Sequence, residues 1–313
     1  MGAWIVILII LAGIAVLGFF LNTSRPLYEI VKNLDRRWIF LTMFLAVALP
    51  LMLSLTFPEK PSGLARAVFQ EIEDLDKGDK VLLAWDFDPA SEGELGPMAT
   101  AFTFHCASKG LKLYYITTWP VGPQMIVDNI NEVLARDFPE YTEGEDYVNL
   151  GYKPGNEGVI KVIASNIREL YTTDHKGTSV QDIPMMDGIN NIQQMDLVIN
   201  VSAGYAGTKE WVLFAATPYP DKIKLIAGCT GVQAPLLYPY IPEQLRGLLG
   251  AIKGAAEYEQ LVQDKYGGED PPLRYLKGKL RMGPQLIAHV LIILLIVVAN
   301  LIFFAGRKWE GAK

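Results

Sequence analysis

The sequence predicts an α/β protein, with a Rossmann-like three-layer domain built on a mainly parallel sheet and three transmembrane helices, two N-terminal and one C-terminal. Three observations predict it. First, three blocks of 19 or 20 residues, at 3–21, 38–57 and 286–304, are nearly free of charge. At ~1.5 Å rise per residue each covers a ~30 Å hydrocarbon core. Second, the chain between the last two blocks alternates short apolar runs with helical patterns. Third, those runs are continuous rather than alternating, as expected of strands buried on both faces of a parallel sheet. The organisation is therefore residues 1–57 (two spans and a basic loop), 58–283 (the α/β domain) and 284–313 (a span and a basic tail).

The elements follow in order. The first block has no Lys or Arg before it, which argues for a retained span over a cleaved signal peptide. Residues 64–75 place Leu64, Val68, Ile72 and Leu75 at helical spacing, an amphipathic link into the domain. Residues 80–86 then read as a strand, and a helix is expected over 97–108, stopped by Lys109-Gly110. A second strand over 111–117 leads to a helix at 124–136, and a third strand over 146–151 to a helix at 158–171. Residues 172–192 are polar and read as a long excursion, the kind of loop that is functional or docks on a neighbour. A fourth strand at 195–201, a helix at 209–216 and a fifth strand at 222–228 follow. A helix over 242–265 closes the domain.

Charge narrows the partners. Seven of the 28 Lys and Arg and three of the 34 Asp and Glu lie outside 58–283, leaving 21 against 31 within it. An acidic domain lacks the basic footprint of a nucleic-acid binder. With three spans, the seven residues Arg25, Lys32, Arg36, Arg37, Arg307, Lys308 and Lys313 share one side, against six (Lys60, Arg66, Arg274, Lys277, Lys279 and Arg281) flanking the domain. The short uncharged N-terminus and compact first loop favour the first side as cytoplasmic under the positive-inside rule. The integral membrane protein would then carry its domain outside the cytoplasm. Trp38, Trp119, Trp211, Tyr219, Tyr238 and Tyr240 suit membrane-interface anchors or core packing. His289 and Asn300, inside the third span, suit hydrogen bonds to another helix.

Ligands of open parallel sheets lie beyond the carboxyl ends of the strands. Those ends supply Asp86 and Asp88, Thr117 and Thr118, Lys153, Ser202 and Thr230 as candidate ligand-binding residues. Asp86, Asp88 and Glu92, with Glu94 nearby, also form an oxygen-rich set suited to Mg²⁺ or Ca²⁺; a solvated acidic turn capping the next helix is the plainer alternative. No G-x-G-x-x-G or Walker loop is present, and two cysteines with three scattered histidines give no zinc spacing. Cys106 and Cys229 read as two separate thiols. A Cys229 nucleophile would need His175 as its base, and an inert thiol is the simpler expectation.

A strand ending in Asp86-x-Asp88, followed by a strand ending in Thr, resembles the haloacid dehalogenase phosphatases. The resemblance implies Asp86 as nucleophile, Asp88 as general acid and Thr117 or Thr118 as a phosphate contact. It covers about forty residues, and the chain departs from the pattern. Pro89-Ala90 replaces the usual residue followed by Thr or Val, and no paired late aspartates follow the fourth strand, which has only Asp196 at its start.

Gly247, Gly250 and Gly254 fall along one stretch read as helical, where each glycine costs ~1 kcal/mol. They would admit another backbone, either the domain's own sheet or a second subunit. The leading expectation is thus a membrane-anchored binding or assembly protein, within a homo-oligomer or with other membrane proteins, and without evident catalytic machinery. A metal-dependent hydrolase centred on Asp86 and Asp88, or a membrane-tethered ligand sensor, is the alternative.

Overall fold

The computed structural model describes residue 13 and residues 15–268 and 273–311. It divides into two units, residues 57–282 and a second comprising 1–56 with 283–313. The larger is built on six parallel strands in the order β3-β2-β1-β4-β5-β6. They are β1 (Lys80–Asp86), β2 (Lys112–Thr117), β3 (Tyr147–Tyr152), β4 (Leu197–Ser202), β5 (Leu225–Cys229) and β6 (Gly247–Gly250). This order is the doubly wound one, with its reversal between β1 and β4. There Ala84 pairs with Asn200 and Asp86 with Ser202.

Both faces are covered, which is why the strands read as unbroken apolar runs. Val81, Leu83 and Trp85 of β1 point to one side. They pack there with α1 (Gly63–Glu73), α2 (Glu92–Ser108), α3 (Gly122–Glu132) and the helix that follows β6. Leu82 and Ala84 point to the other, under α4 (Glu157–Ser165), α5 (Thr208–Trp211) with the π-turn Val212–Ala216 that extends it, and α6 (Ala234–Leu237). The polar excursion at 172–192 belongs to this second face. Val180, Ile183, Met185, Met186, Ile189 and Ile192 are buried there, and the Tyr114 hydroxyl donates to Met185 O at 2.8 Å. Its apolar residues lack a helical or strand period because the segment is irregular, so the sequence shows them only as scattered.

Two expected elements change. The helix over 242–265 is instead β6 followed by α7 (Ala251–Tyr266). Gly247 and Gly250 therefore lie on a strand and Gly254 on a helix, so they share no helical face. A Cβ on Gly247 would come within 2.8 Å of Val68 N, one on Gly250 within 2.9 Å of the Ala234 Cβ, and one on Gly254 within 2.9 Å of Leu249 backbone. Each glycine admits a close neighbour from this same chain. The second change is in α2, which starts at Glu92 and takes Pro97 inside it. Proline has no N–H for the carbonyl four residues earlier, and the Arg281 guanidinium donates to that Gly93 O at 2.6 Å instead.

In the smaller unit, helices at 15–23, Arg25–Lys32 and Arg36–Met52 accompany the end of the long helix Lys277–Glu310. Leu21, Tyr28 and Ala305 are buried together, and the Trp309 indole donates to Leu21 O at 2.9 Å. Among the described residues one helix, Lys277–Trp309, is long and apolar enough to cross a membrane, not three. Residues 3–12 and 14 of the first block lie outside the described residues. The second block forms a helix of 17 residues that ends at Met52. Pro50 withdraws a donor from its last turn, and Ser54 at φ 49° takes the chain out of the helix. Among the described residues, His289 and Asn300 bond back to Gln285 O and Ile296 O of their own helix.

Candidate functional site

Asp86 is the centre of the carboxyl edge, the end of the sheet toward which all six strands run. Its side chain is fully buried. Oδ1 accepts from Thr118 N at 2.7 Å and Thr118 Oγ1 at 2.8 Å. Oδ2 accepts from Asn200 Nδ2 at 2.7 Å and Trp211 Nε1 at 2.9 Å. β1, β2, β4 and α5 are thereby tied to one carboxylate. Burial pushes its pKa above the ordinary value, while the Thr118, Trp211 and Asn200 hydrogen bonds pull it down. All four strong partners are donors, so they serve the ionised form and leave no lone pair facing a ligand.

A second layer orients the first. Ser202 Oγ accepts from Thr208 N at 2.9 Å and shares a 2.8 Å bond with Thr208 Oγ1. Thr208 Oγ1 in turn donates to Asn200 Oδ1 at 2.7 Å. Asn200 then has only its amide hydrogens left for Asp86 and for Ala84 O at 3.1 Å. Because each group has one remaining role, the protons along Ser202, Thr208, Asn200 and Asp86 run one way.

The structure brings together Asp86, Thr117, Thr118 and Ser202 and separates the other candidates. Thr117 Oγ1 donates to Asp86 Oδ1 at a long 3.5 Å, accepts from Trp119 N at 3.0 Å, and packs on Gly122, where a Cβ would sit 2.0 Å away. Lys153 lies over the Tyr171 ring at 5.4 Å. Thr230 is buried, and its hydroxyl has no partner. Asp88 Oδ1 accepts from Ser91 N at 2.9 Å, a turn before α2. Glu92 faces Arg281 at 3.5 Å and Glu94 caps Gly231 N at 2.8 Å. Asp86, Asp88 and Glu92 do not converge on a cation position. Among the described residues the one set of His, Cys, Asp and Glu close enough to share an ion is Glu143, Asp174 and His175. That set already holds a cation, because the Lys176 ammonium pairs with Glu143 Oε2 and Asp174 Oδ1 caps Lys176 N and Thr178 N.

The crevice itself is filled from within. The Trp119 ring lies against Gly204, where a Cβ would meet it at 3.4 Å, and its indole donates to Ala206 O at 2.7 Å. Beside it remains a hollow of about 140 Å³ lined by Gly204, Tyr205, Lys209 and Leu236. The larger hollow, about 620 Å³, is at the opposite edge. Of its lysines, Lys109 already bonds Glu73 O at 2.8 Å and Lys112 bonds Asp146 at 2.7 Å.

No protein-family model matches the chain, and neither does any curated protein. Its own residues are the guide to function.

Two further groups bear on catalysis. Both cysteines are free and buried. Burial pushes the Cys229 thiol up to about 12, so it is no nucleophile at neutral pH. Sequence reading missed a buried acid–imidazole–hydroxyl series on the other face. His105 Nε2 bonds Glu73 Oε1 at 2.9 Å, and His105 Nδ1 bonds the Tyr258 hydroxyl at 2.7 Å. Burial holds the His105 pKa down to about 4. The neutral ring therefore donates through Nε2 to the carboxylate and accepts at Nδ1 from Tyr258. Both His105 and Tyr258 are 0% exposed, which makes the series a strut between α1, α2 and α7. Its only signal in the sequence is a histidine on an apolar helix.

Proposed function

We propose that this chain is a membrane-anchored α/β binding or assembly protein rather than a hydrolase. One observation carries the reading: Asp86, the carboxylate at the strand reversal, gives all its acceptor capacity to Thr118, Asn200 and Trp211 of its own chain. A phosphoryl-accepting carboxylate must present an oxygen to its substrate, and a hard-cation site must gather several. Asp86 does neither.

Membrane anchoring rests on the Lys277–Trp309 helix, no residue of whose most apolar window is buried. The Arg36–Met52 helix, at 17 residues, lies near the lower length for a crossing. With the first block it would complete three spans. The seven basic residues on one side of those spans then put the α/β unit outside the cytoplasm. Partners are the bilayer and either further copies of the chain or other membrane proteins.

The test is assay and sedimentation of the detergent-solubilised chain. Expected are a particle larger than one copy and no turnover of p-nitrophenyl phosphate with Mg²⁺. Turnover that is abolished in Asp86→Asn while the variant stays folded would overturn the reading.

A further inference from the structure

The exposed apolar side chains of the α/β unit are gathered on one edge. Among the described residues of this unit, five large hydrophobic side chains besides Phe57 are exposed: Val121, Tyr205, Val232, Leu236 and Tyr238. Val121 follows β2, Tyr205 follows β4, and Val232 follows β5. Leu236 is on α6, in the first turn after β5, and lines the same hollow as Gly204 and Tyr205. Tyr238 continues that β5–β6 connection. Among the described residues the amino edge of the sheet has none. Scattered single hydrophobics are normal on a soluble surface, but Val121, Tyr205, Val232 and Leu236 on adjoining connections at one edge, with Tyr238 just past α6, form a patch.

The chain also enters and leaves the unit at this edge. On the way in, Ser62 N donates to Glu257 Oε2 at 3.1 Å, and Glu59 pairs with Lys253 at 3.4 Å. Lys253 and Glu257 are in the first two turns of α7, which starts where β6 ends. On the way out, Arg281 reaches the carbonyls of Glu92 and Gly93 in the first turn of α2, which starts just after β1. The residues before Phe57 and after Met282 are the apolar blocks.

Resting on the membrane-anchored reading above, we propose that the carboxyl edge of the sheet is an interfacial surface that lies on the lipid bilayer, with Val121, Val232 and Leu236 at the acyl boundary and Tyr205 and Tyr238 among the headgroups. Glu59, Ser62 and Arg281, bonded into the unit next to its two junctions with the apolar blocks, are at that edge. Tyrosine suits this position because its ring is apolar and its hydroxyl keeps a polar partner. Tyr205 already engages Glu157 through that hydroxyl, leaving the ring as the exposed part. Lys209 and Glu210 flank the patch with opposite signs, so the contact is apolar rather than ionic and does not depend on anionic lipid. The strand-end crevice that faces water in a soluble doubly wound protein would here open toward lipid.

Single cysteines can be labelled selectively, because Cys106 and Cys229 are both buried. The full chain, reconstituted in phosphatidylcholine vesicles with acyl chains brominated near the headgroup, would carry bimane at Val232→Cys or Leu236→Cys. Lys77→Cys on the amino edge and Ile293→Cys in the long helix are the references. Expected is quenching at Val232→Cys and Leu236→Cys about threefold or more above that at Lys77→Cys, unchanged in high salt. Quenching at Ile293→Cys alone would overturn the interfacial surface and leave the anchoring intact. Quenching nowhere would overturn both. Rim labels that ignore brominated lipid yet are shielded from iodide would mean that a protein, such as a second copy, covers the patch, and would equally sink the proposal.

Discussion

Asp86 and Glu73 are both carboxylates withdrawn into the α/β unit, yet their surroundings drive them in opposite directions. Asp86 meets neutral donors only, and burial pushes its pKa up. For Glu73 burial also pushes upward, but hydrogen bonds from Lys265, Tyr266 and His105 reverse it and hold the group down to about 2. A cation and a hydroxyl at the rim of α1 and α7 achieve what four neutral donors at the carboxyl edge do not. Burial thus sets the cost of an ionised group, and the charge of its partners decides whether that cost is offset. Neither centre is thereby marked as a catalyst.

Asp86→Asn should have the largest effect. Whichever way the new amide turns, its N–H₂ faces donors from Thr118 or from Asn200 and Trp211. Buried donors left opposed should cost about 3–5 kcal/mol and lower the thermal midpoint of the full chain in detergent by about 10 °C. An unchanged midpoint would break the comparison, since Asp86 would then be no strut. Tyr258→Phe comes next. It strips the donor from His105 Nδ1 and should cost about 1–3 kcal/mol. Combined with Glu73→Gln, the loss should fall short of the two single losses taken together, because both act on one imidazole.

The third expectation is a pH dependence with two limbs. Glu73 has a folded pKa lowered to about 2 from 4.5. Its contribution is present above about 4.5 and is lost as pH falls toward 2. Glu259 is the opposite case: burial raises it to about 8, against the N–H groups of Gly278 and Lys279 that it accepts from. Its contribution is present below about 4.5 and is lost as pH rises toward 8. Midpoints recorded across pH should therefore lose their decline between about 4.5 and 8 in Glu259→Gln and their decline below about 4.5 in Glu73→Gln. A Glu259→Gln curve parallel to the parent's between about pH 4.5 and 8 would refute the assignment. The smallest effect belongs to Lys265→Ala, whose side chain is 53% exposed. It should cost under about 1 kcal/mol, and high salt should reproduce most of it.

Five strands were legible because each is apolar on both faces, and that pattern alone implies a covered parallel sheet. β6 was not. It is four residues long with glycine at both ends, and its identity depends on Val68 approaching Gly247, a contact from 179 positions earlier in a chain whose local pattern reads helical. Asp86 was legible as the notable strand-end acid, but its role was hidden, since its donors come from Thr118, Asn200 and Trp211. The acidic spacing after it suggested a cation site that the turn at Ser91 and the pairing of Glu92 with Arg281 disperse. Hydrophobic length overstated the second span, where Pro50 and Ser54 end the helix early. The gathering of exposed apolar residues on one edge could not be seen at all, because it joins Val121 to residues 84 or more positions later in the chain.

The one-way order of protons from Ser202 to Asp86 has a spectroscopic consequence. Trp85 and Trp211 are both inaccessible to solvent but lie under opposite faces of the sheet. The indole hydrogen of Trp211 is fixed on a carboxylate by partners that cannot reverse, whereas the indole nitrogen of Trp85 has none. The pair should give two separate indole resonances, Trp211 shifted downfield and slow to exchange with deuterium. Through them the molecule reports on each layer of its core with no label attached.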